Sequence, residues 1–203
     1  SSFDFRTCMD EGKILLVNLS KGRIGDLNAN LLGMIIVGKF LAAALSRTTM
    51  PEASRRDFGL FIDEFQNVTT DSIASILSEA RKYGLNLNIA HLYIKQLQEK
   101  IRDAVFGNVG SMAVFRVGVE DAEFLEKQFT PIFTKNDLVN LDNRLACTRL
   151  LIGGQPAKPF NRQTMNFISP DMKLRDDLKE LSRQKYGMDR AMVEEDIRRR
   201  LRE

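Results

Sequence analysis

Apolar and polar positions fall into alternating blocks along the chain, and the block from Asp57 to Leu97 is the most ordered of them. Phe58-Gly59-Leu60-Phe61-Ile62 is a short continuous apolar run, the pattern of a strand covered on both faces. Two carboxylates, Asp63 and Glu64, follow at once. Ile73, Ile76, Leu77 and Ala80 then recur at i, i+3, i+4 and i+7, one face of a helix. Thr70 suits its N-cap, with Asp71 in the first turn, and Gly84 suits a left-handed C-terminal cap. Leu85 to Ala90 is a second apolar run, ending at His91. The block reads as strand, acidic pair, helix, strand. The acids stand at the carboxyl end of the first strand, the edge where open α/β sheets bind ligands.

The flanking blocks extend the alternation. Lys13 to Leu19 reads as a buried strand, short, apolar and branched. Ser20-Lys21-Gly22 and Gly25 mark a turn. Leu27 to Ser46 predicts a long helix, apolar on nearly every side and therefore expected to be mostly covered. Ile94 to Val105 predicts another helix, broken by Gly107-Asn108 and Gly110. Ser111 to Val117 predicts a strand, Glu120 to Gln128 a helix and Asp137 to Leu141 one helical turn. Leu145 to Ile152 and Pro159 to Phe167 flank Gly153-Gly154-Gln155-Pro156, two strands about a turn. After Pro170 two amphipathic helices are expected, marked by Leu174, Leu178 and Leu181 and then by Met188, Met192, Ile197 and Leu201. The expected fold class is α/β, a mainly parallel sheet with helices on both faces across residues 1–169, followed by a helical tail over 170–203.

Composition changes this picture little. The chain has 203 residues, 43% of them hydrophobic and 28% charged, as in an ordinary globular domain with an appendage. A formal charge of +3 does not by itself point to nucleic acid. Cys8 and Cys147 lack metal-ligand spacing and read as free thiols of a reducing, cytoplasmic compartment. The apolar run Leu31 to Leu45 carries Lys39 and falls short of the about 20 residues that span a bilayer, so a buried helix is expected. The start at Ser1-Ser2 suggests either a piece of a longer chain or a tag scar.

A strand ending in Asp-Glu meets two needs of nucleotide hydrolysis, a magnesium ion near the terminal phosphates and a carboxylate that orients the attacking water. Asp63 is the candidate metal ligand, acting through water, and Glu64 the candidate base. The plain alternative is a pair of acids that precedes a helix. Arg81 reads as a favourable cation at a helix C-terminus or as an arginine finger for a neighbouring subunit. His91 and Arg116 are candidate nucleotide contacts. A lone histidine is more often structural, and an arginine inside the strand Ser111 to Val117 needs an ion-pair partner if buried. No Gly-x-x-x-x-Gly-Lys-Ser/Thr phosphate loop occurs in the chain. The residues therefore supply the magnesium and water half of a site without the phosphate half.

Lys13-Ile-Leu-Leu-Val-Asn-Leu-Ser-Lys-Gly22, Phe61-Ile-Asp-Glu-Phe-Gln66 and Ser78-Glu-Ala-Arg-Lys-Tyr-Gly-Leu85 occur in this order. Gly107-Asn-Val-Gly110, Phe115-Arg-Val-Gly118 and Asp121-Ala122 follow them. Together they resemble the later half of the FtsK–HerA motor ATPases, in the coupling-protein branch of type IV secretion and conjugation, from about Phe3 to Phe167. The resemblance implies a RecA-like P-loop NTPase core with an incomplete N-terminal part. It implies ATP and Mg2+ as cofactors, DNA as the translocated partner, a ring, usually a hexamer, and secretion or conjugation proteins as further partners, at the cytoplasmic face of the membrane.

It also implies roles for Asp63 and Glu64 in the acidic magnesium and water motif and for Arg81 as the finger. The family commonly has glutamine after the histidine, where this chain has Leu92, a side chain that cannot hydrogen-bond a phosphate or water. The missing phosphate loop is expected upstream, so the chain reads as a C-terminal fragment whose incomplete sheet edge is covered by the tail or by another chain. Two other readings stay open. One is a non-hydrolysing docking or assembly module. The other is a metal-dependent nuclease, which would need a further acid or histidine cluster.

Overall fold

The computed structural model describes residues 3–70, 73, 76, 77 and 79–202. The chain divides into a large unit, Phe5–Met165, and a small one formed by Ser1–Asp4 with Asn166–Glu203. The large unit opens with helices α1 (Phe5–Asp10), α2 (Lys21–Ile24) and α3 (Asp26–Leu45). Strands β1 (Phe58–Ile62) and β2 (Leu85–Ile89) follow, then α4 (Glu99–Asn108), β3 (Met112–Val114), α5 (Val119–Phe129) and α6 (Lys135–Val139). The unit ends with β4 (Leu145–Arg149), β5 (Leu151–Ile152), β6 (Gln155–Pro156) and β7 (Phe160–Gln163). The small unit holds α7 (Met172–Tyr186) and α8 (Arg190–Arg200), neither of which buries a side chain.

β1 and β2 run parallel in the register Phe58↔Leu85, Leu60↔Leu87 and Ile62↔Ile89. Because side chains alternate across a strand, these six fall on one face. They pack on a cluster that joins Val37, Phe40 and Ala44 of α3 to Ile73, Ile76 and Ala80 and to Ile101 and Val105 of α4. The Phe40 and Phe58 rings stack at 5.3 Å. Full burial of Ile73 and Ile76 is worth roughly 1.5–3 kcal/mol each, and it bears out the helical face read from their spacing. Asp71, expected in the first turn there, lies outside the described residues. A second cluster gathers Val114, Ala122, Leu125, Phe129, Leu138 and Cys147 beneath the antiparallel ladder β3-β4-β7.

Several expectations are corrected. The sheet is not mainly parallel: among the described residues β1–β2 is the one parallel ladder, and β3–β4, β4–β7 and β5–β6 are antiparallel. Nor is it covered on both faces. Gly59, Asn86 and Asn88 are exposed, and Phe61 is 78% exposed. A continuous apolar run does not report which face will find a partner. Lys13–Leu19 forms no strand, and Ile14 and Leu16 are 89% and 85% exposed. A cavity of about 920 Å³ lies between this stretch, α3 and β1, so its backbone finds no ladder there. Apolar content predicts burial, but a strand also needs a neighbour within hydrogen-bonding distance.

α3 covers the core with one stripe only. Ala29, Gly33, Val37, Phe40 and Ala43 are buried, while Leu27, Leu31 and Ile35 are exposed. With its 3-10 extension, Asp26–Thr49, this helix is long and apolar enough by length and composition to cross a membrane. The helix expected from Ile94 is split. Ile94–Gln96 is a separate 3-10 turn, and α4 starts at Glu99. The strand expected over Ser111 to Val117 is confined to β3.

At the amino ends of β1 and β2 sits Arg47, which is fully buried. Its Nε donates to Asp10 Oδ1 at 2.8 Å, and its Nη1 donates to the carbonyls of Arg56 at 2.9 Å and Tyr83 at 2.8 Å. Gly84, at φ 71°, takes the left-handed cap expected of it, and a Cβ there would stand 3.0 Å from Arg47 Nη1. Replacing Asp10 by Ala leaves this buried cation without its counter-ion. Chemical denaturation of the variant should show a loss of about 3 kcal/mol, the low end for breaking a buried pair, since Asp10 is partly exposed.

Candidate functional site

The acid pair sits where the strand pattern placed it. β1 ends at Ile62, and Asp63 and Glu64 follow as exposed residues. Both ends of this two-residue step are tied to one residue of the neighbouring strand. Ala90 N–H donates to the Ile62 carbonyl at 2.9 Å, and Phe65 N–H donates to the Ala90 carbonyl at 3.0 Å. Phe65, fully buried, anchors the far end in the first core cluster. The clamp turns Glu64 into the left-handed region, φ 51° and ψ 44°, an unfavourable conformation for a residue with a Cβ. Asp63 Oδ1 accepts the Glu64 N–H at 2.9 Å, which stabilises the step and leaves Oδ2 directed elsewhere. Gln66 Nε2 donates to Glu64 Oε2 and orients the second carboxylate.

His91 follows Ala90 directly, so the clamp brings it to the same edge. Burial holds its imidazole below the ordinary value, while the Asp121 charge pulls the other way. The ring is therefore neutral at pH 7. Its Nδ1 is buried without a hydrogen-bond partner, and so are Gln66 Oε1 and Asn67 Nδ2. Half of the six such atoms among the described residues thus belong to the turn after the acids and to His91. No group of three or more His, Cys, Asp or Glu side chains able to hold a metal occurs among the described residues. The edge fits a cation that keeps most of its water and takes one carboxylate, as magnesium does beside phosphates.

The remaining candidates are not brought to it. Arg81 lies in the 3-10 turn Ala80–Tyr83 before β2 and is exposed. The parallel register puts that turn at the opposite end of the pair, roughly 13–17 Å from Asp63 at 3.3 Å per residue. Arg116 is corrected: it stands in a bend after β3, exposed rather than inside a strand, and its Nη2 donates to Asn143 Oδ1 at 3.1 Å. An ion-pair partner is not needed there. Leu92 is 62% exposed beside His91, and Gln96 is exposed in the next turn.

Three residues at or near the site escaped sequence reading. Gln66 stood in the Phe61–Gln66 motif without a role and Asn67 in no motif, and the fold sets Gln66 Nε2 against Glu64 Oε2. Asp121 stood only in the Asp121-Ala122 motif, with no role of its own, yet it is 8% exposed and accepts the Ile94 N–H at 3.2 Å.

The fold is similar to that of the bacterial conjugative coupling protein TrwB. The unbound TrwBdeltaN70 structure superposes with a TM-score of 0.64 at 17% identity, covering 85% of this chain and 46% of that one. TrwB in complex with GDPNP gives 0.64 at 16% identity, over 84% and 45%. TrwB in complex with ADP and Mg2+ also gives 0.64 at 16%, over the same shares. The chain thus spans less than half the length of these structures. No protein-family model matches it, and no curated protein does. At such identity the likeness establishes the fold alone, that of TrwB, and agrees with the resemblance read from the ordered motifs.

Two outcomes test the edge. Glu64→Val forces a β-branched residue into the left-handed region and should lower stability by about 1–2 kcal/mol in urea, whereas Glu64→Asn, which tolerates φ 51°, should not. The depressed His91 pKa makes the unfolded chain bind its proton first as pH falls. Stability from this group is complete above about pH 6.5 and is lost as pH drops through the folded pKa. The urea midpoint should fall more steeply from pH 7.5 to 5 than that of His91→Gln.

Proposed function

We propose that this chain carries the magnesium- and water-handling part of a ring-forming ATPase that translocates DNA in conjugation or type IV secretion. The carrying observation is the clamp. A parallel strand pair presents two adjacent carboxylates at its carboxyl end, pinned on both sides by Ala90. The TrwB fold supports the reading, since TrwB is a conjugative coupling protein and has been seen with ADP and Mg2+. On the same ground the parallel β1–β2 pair is proposed to be the part of a RecA-like core that this chain carries. The phosphate loop absent from this sequence belongs, in this reading, to another part of the longer protein.

In that setting Asp63, whose Oδ1 accepts the Glu64 N–H, would hold a magnesium ion through its water. Bound magnesium and nucleotide supply the electrophilic phosphorus and neutralise its oxygens. Glu64, oriented by Gln66, accepts a hydrogen bond from the attacking water and takes up its proton. Neutral His91 and the unpartnered Gln66 and Asn67 groups provide polar contacts at the same edge. Arg81, at the far end of the strand pair, acts as a finger toward a neighbouring subunit. Arg116 contributes at most a surface cation. The protein works in the cytoplasm, where the buried thiols Cys8 and Cys147 stay reduced.

Leu92 favours a second reading, a non-hydrolysing docking or assembly module, because it places an apolar side chain where the resembled family has glutamine. One experiment separates the two. In the full-length protein, Glu64→Gln should bind ATP with unchanged affinity and lose turnover by about 100-fold or more, as removal of a general base does. Equal turnover in variant and parent would overturn the motor reading, and a parent that binds ATP without hydrolysing it would favour the module.

A further inference from the structure

The turn after β2 passes His91, Leu92 and Tyr93 before the 3-10 turn Ile94–Gln96. Its entry is held by Ala90 in the clamp. Its exit is held from a different part of the fold. Asp121 in the first turn of α5 buries its carboxylate there, 8% exposed, and Oδ2 accepts the Ile94 N–H at 3.2 Å. Ile94 is itself buried in the second core cluster, beside Ala122 and Leu125 of α5. A carboxylate that has lost its water is costly unless it is bonded, so this contact is not incidental.

We propose that Asp121 is a positioning residue: by accepting the Ile94 N–H it fixes the exit of the turn that carries His91 and Leu92, and so couples the second core cluster to the acid edge. Its relevance to nucleotide chemistry rests on the reading proposed above, but its structural content does not. The carboxylate acts in two ways. As an acceptor it sets where the turn ends. As a charge it faces His91 and favours the imidazolium, against the opposing effect of burial. The other charged groups nearby are the mutually paired Lys95 and Glu120, which line a cavity of about 480 Å³ with Asp121 and Tyr93. Asp63 and Glu64 lie across the clamp on the β1 side. Displacement of the turn would carry His91 with it, because only three residues separate Ala90 from Ile94.

His91 is the sole histidine of the chain, so its resonance needs no assignment by difference. The test compares Asp121→Ala with Asp121→Asn, whose amide oxygen keeps the acceptor and drops the charge. In Asp121→Ala the Ile94 amide should exchange with solvent more than about tenfold faster, the size of one lost hydrogen bond to a charged group. In Asp121→Asn that protection should be largely retained, while the His91 pKa falls below the parent's. Unchanged Ile94 exchange in Asp121→Ala, or an unchanged His91 pKa in Asp121→Asn, would overturn the proposal. In the longer protein, Asp121→Ala should lower kcat more than it alters nucleotide affinity, with partial rescue by Asp121→Asn. A parent without hydrolysis would sink the proposed function alone, and the two resonance measurements would still decide the role of Asp121.

Discussion

One guanidinium holds the parallel pair together at its amino end. Arg47 is drawn wholly out of water, a position that is destabilising for a charge unless it is paired and bonded; its Nε and Nη1 are bonded, while Nη2 is buried without a partner. Its Nη1 reaches the carbonyls of Arg56 and Tyr83, the residues that lead into β1 and β2, and its Nε meets Asp10 of α1. Asp10 also receives Arg6, whose Nη1 reaches Ser46 beside Arg47. The two strand entrances are therefore fixed relative to one another by a planar fork rather than by their ladder alone. Lysine, a single point donor on a flexible stem, has no equivalent geometry.

Register set at one end is delivered at the other. With Phe58 opposite Leu85, Ile62 must fall opposite Ile89, and Ala90 then lies within reach of both Ile62 and Phe65. The acid step is a consequence of that alignment. A slip by one residue would turn Phe58, Leu60 and Ile62 out of the core and break the clamp together. The left-handed backbone of Glu64 is held by the same bonds. Rigidity in the scaffold and strain at the edge are linked, as is common where a side chain must be aimed.

The opposite placement of Arg81 and the acid pair carries a chemical consequence. A cation at the entrance of β2 cannot stabilise charge at the exit of β1 within the same chain, so any finger role requires another copy. The apolar surface left uncovered on α3, on Phe61 and along α7 shows that the chain by itself does not satisfy all of its hydrophobic pattern. Among the described residues no further strand pairs with the outer edges of β1 and β2, which repeats the point for the backbone.

The local pattern determined much of this protein. The strand Phe58–Ile62, the acids at its end, the helical face of Ile73, Ile76 and Ala80, the cap at Gly84 and the strand after it were all legible, because each depends on neighbours in sequence and on backbone sterics. The two tail helices were legible for the same reason. What tertiary structure alone decided was who meets whom. Lys13–Leu19 has every mark of a strand and found no ladder, Arg116 escaped the strand it was assigned to, and Arg47 and Asp121 acquired their roles from partners 37 and 27 residues distant. Periodicity records which side chains avoid water. It carries no term for the donor or acceptor that folding brings across from elsewhere in the chain, and at both ends of the strand pair those long-range bonds set the geometry.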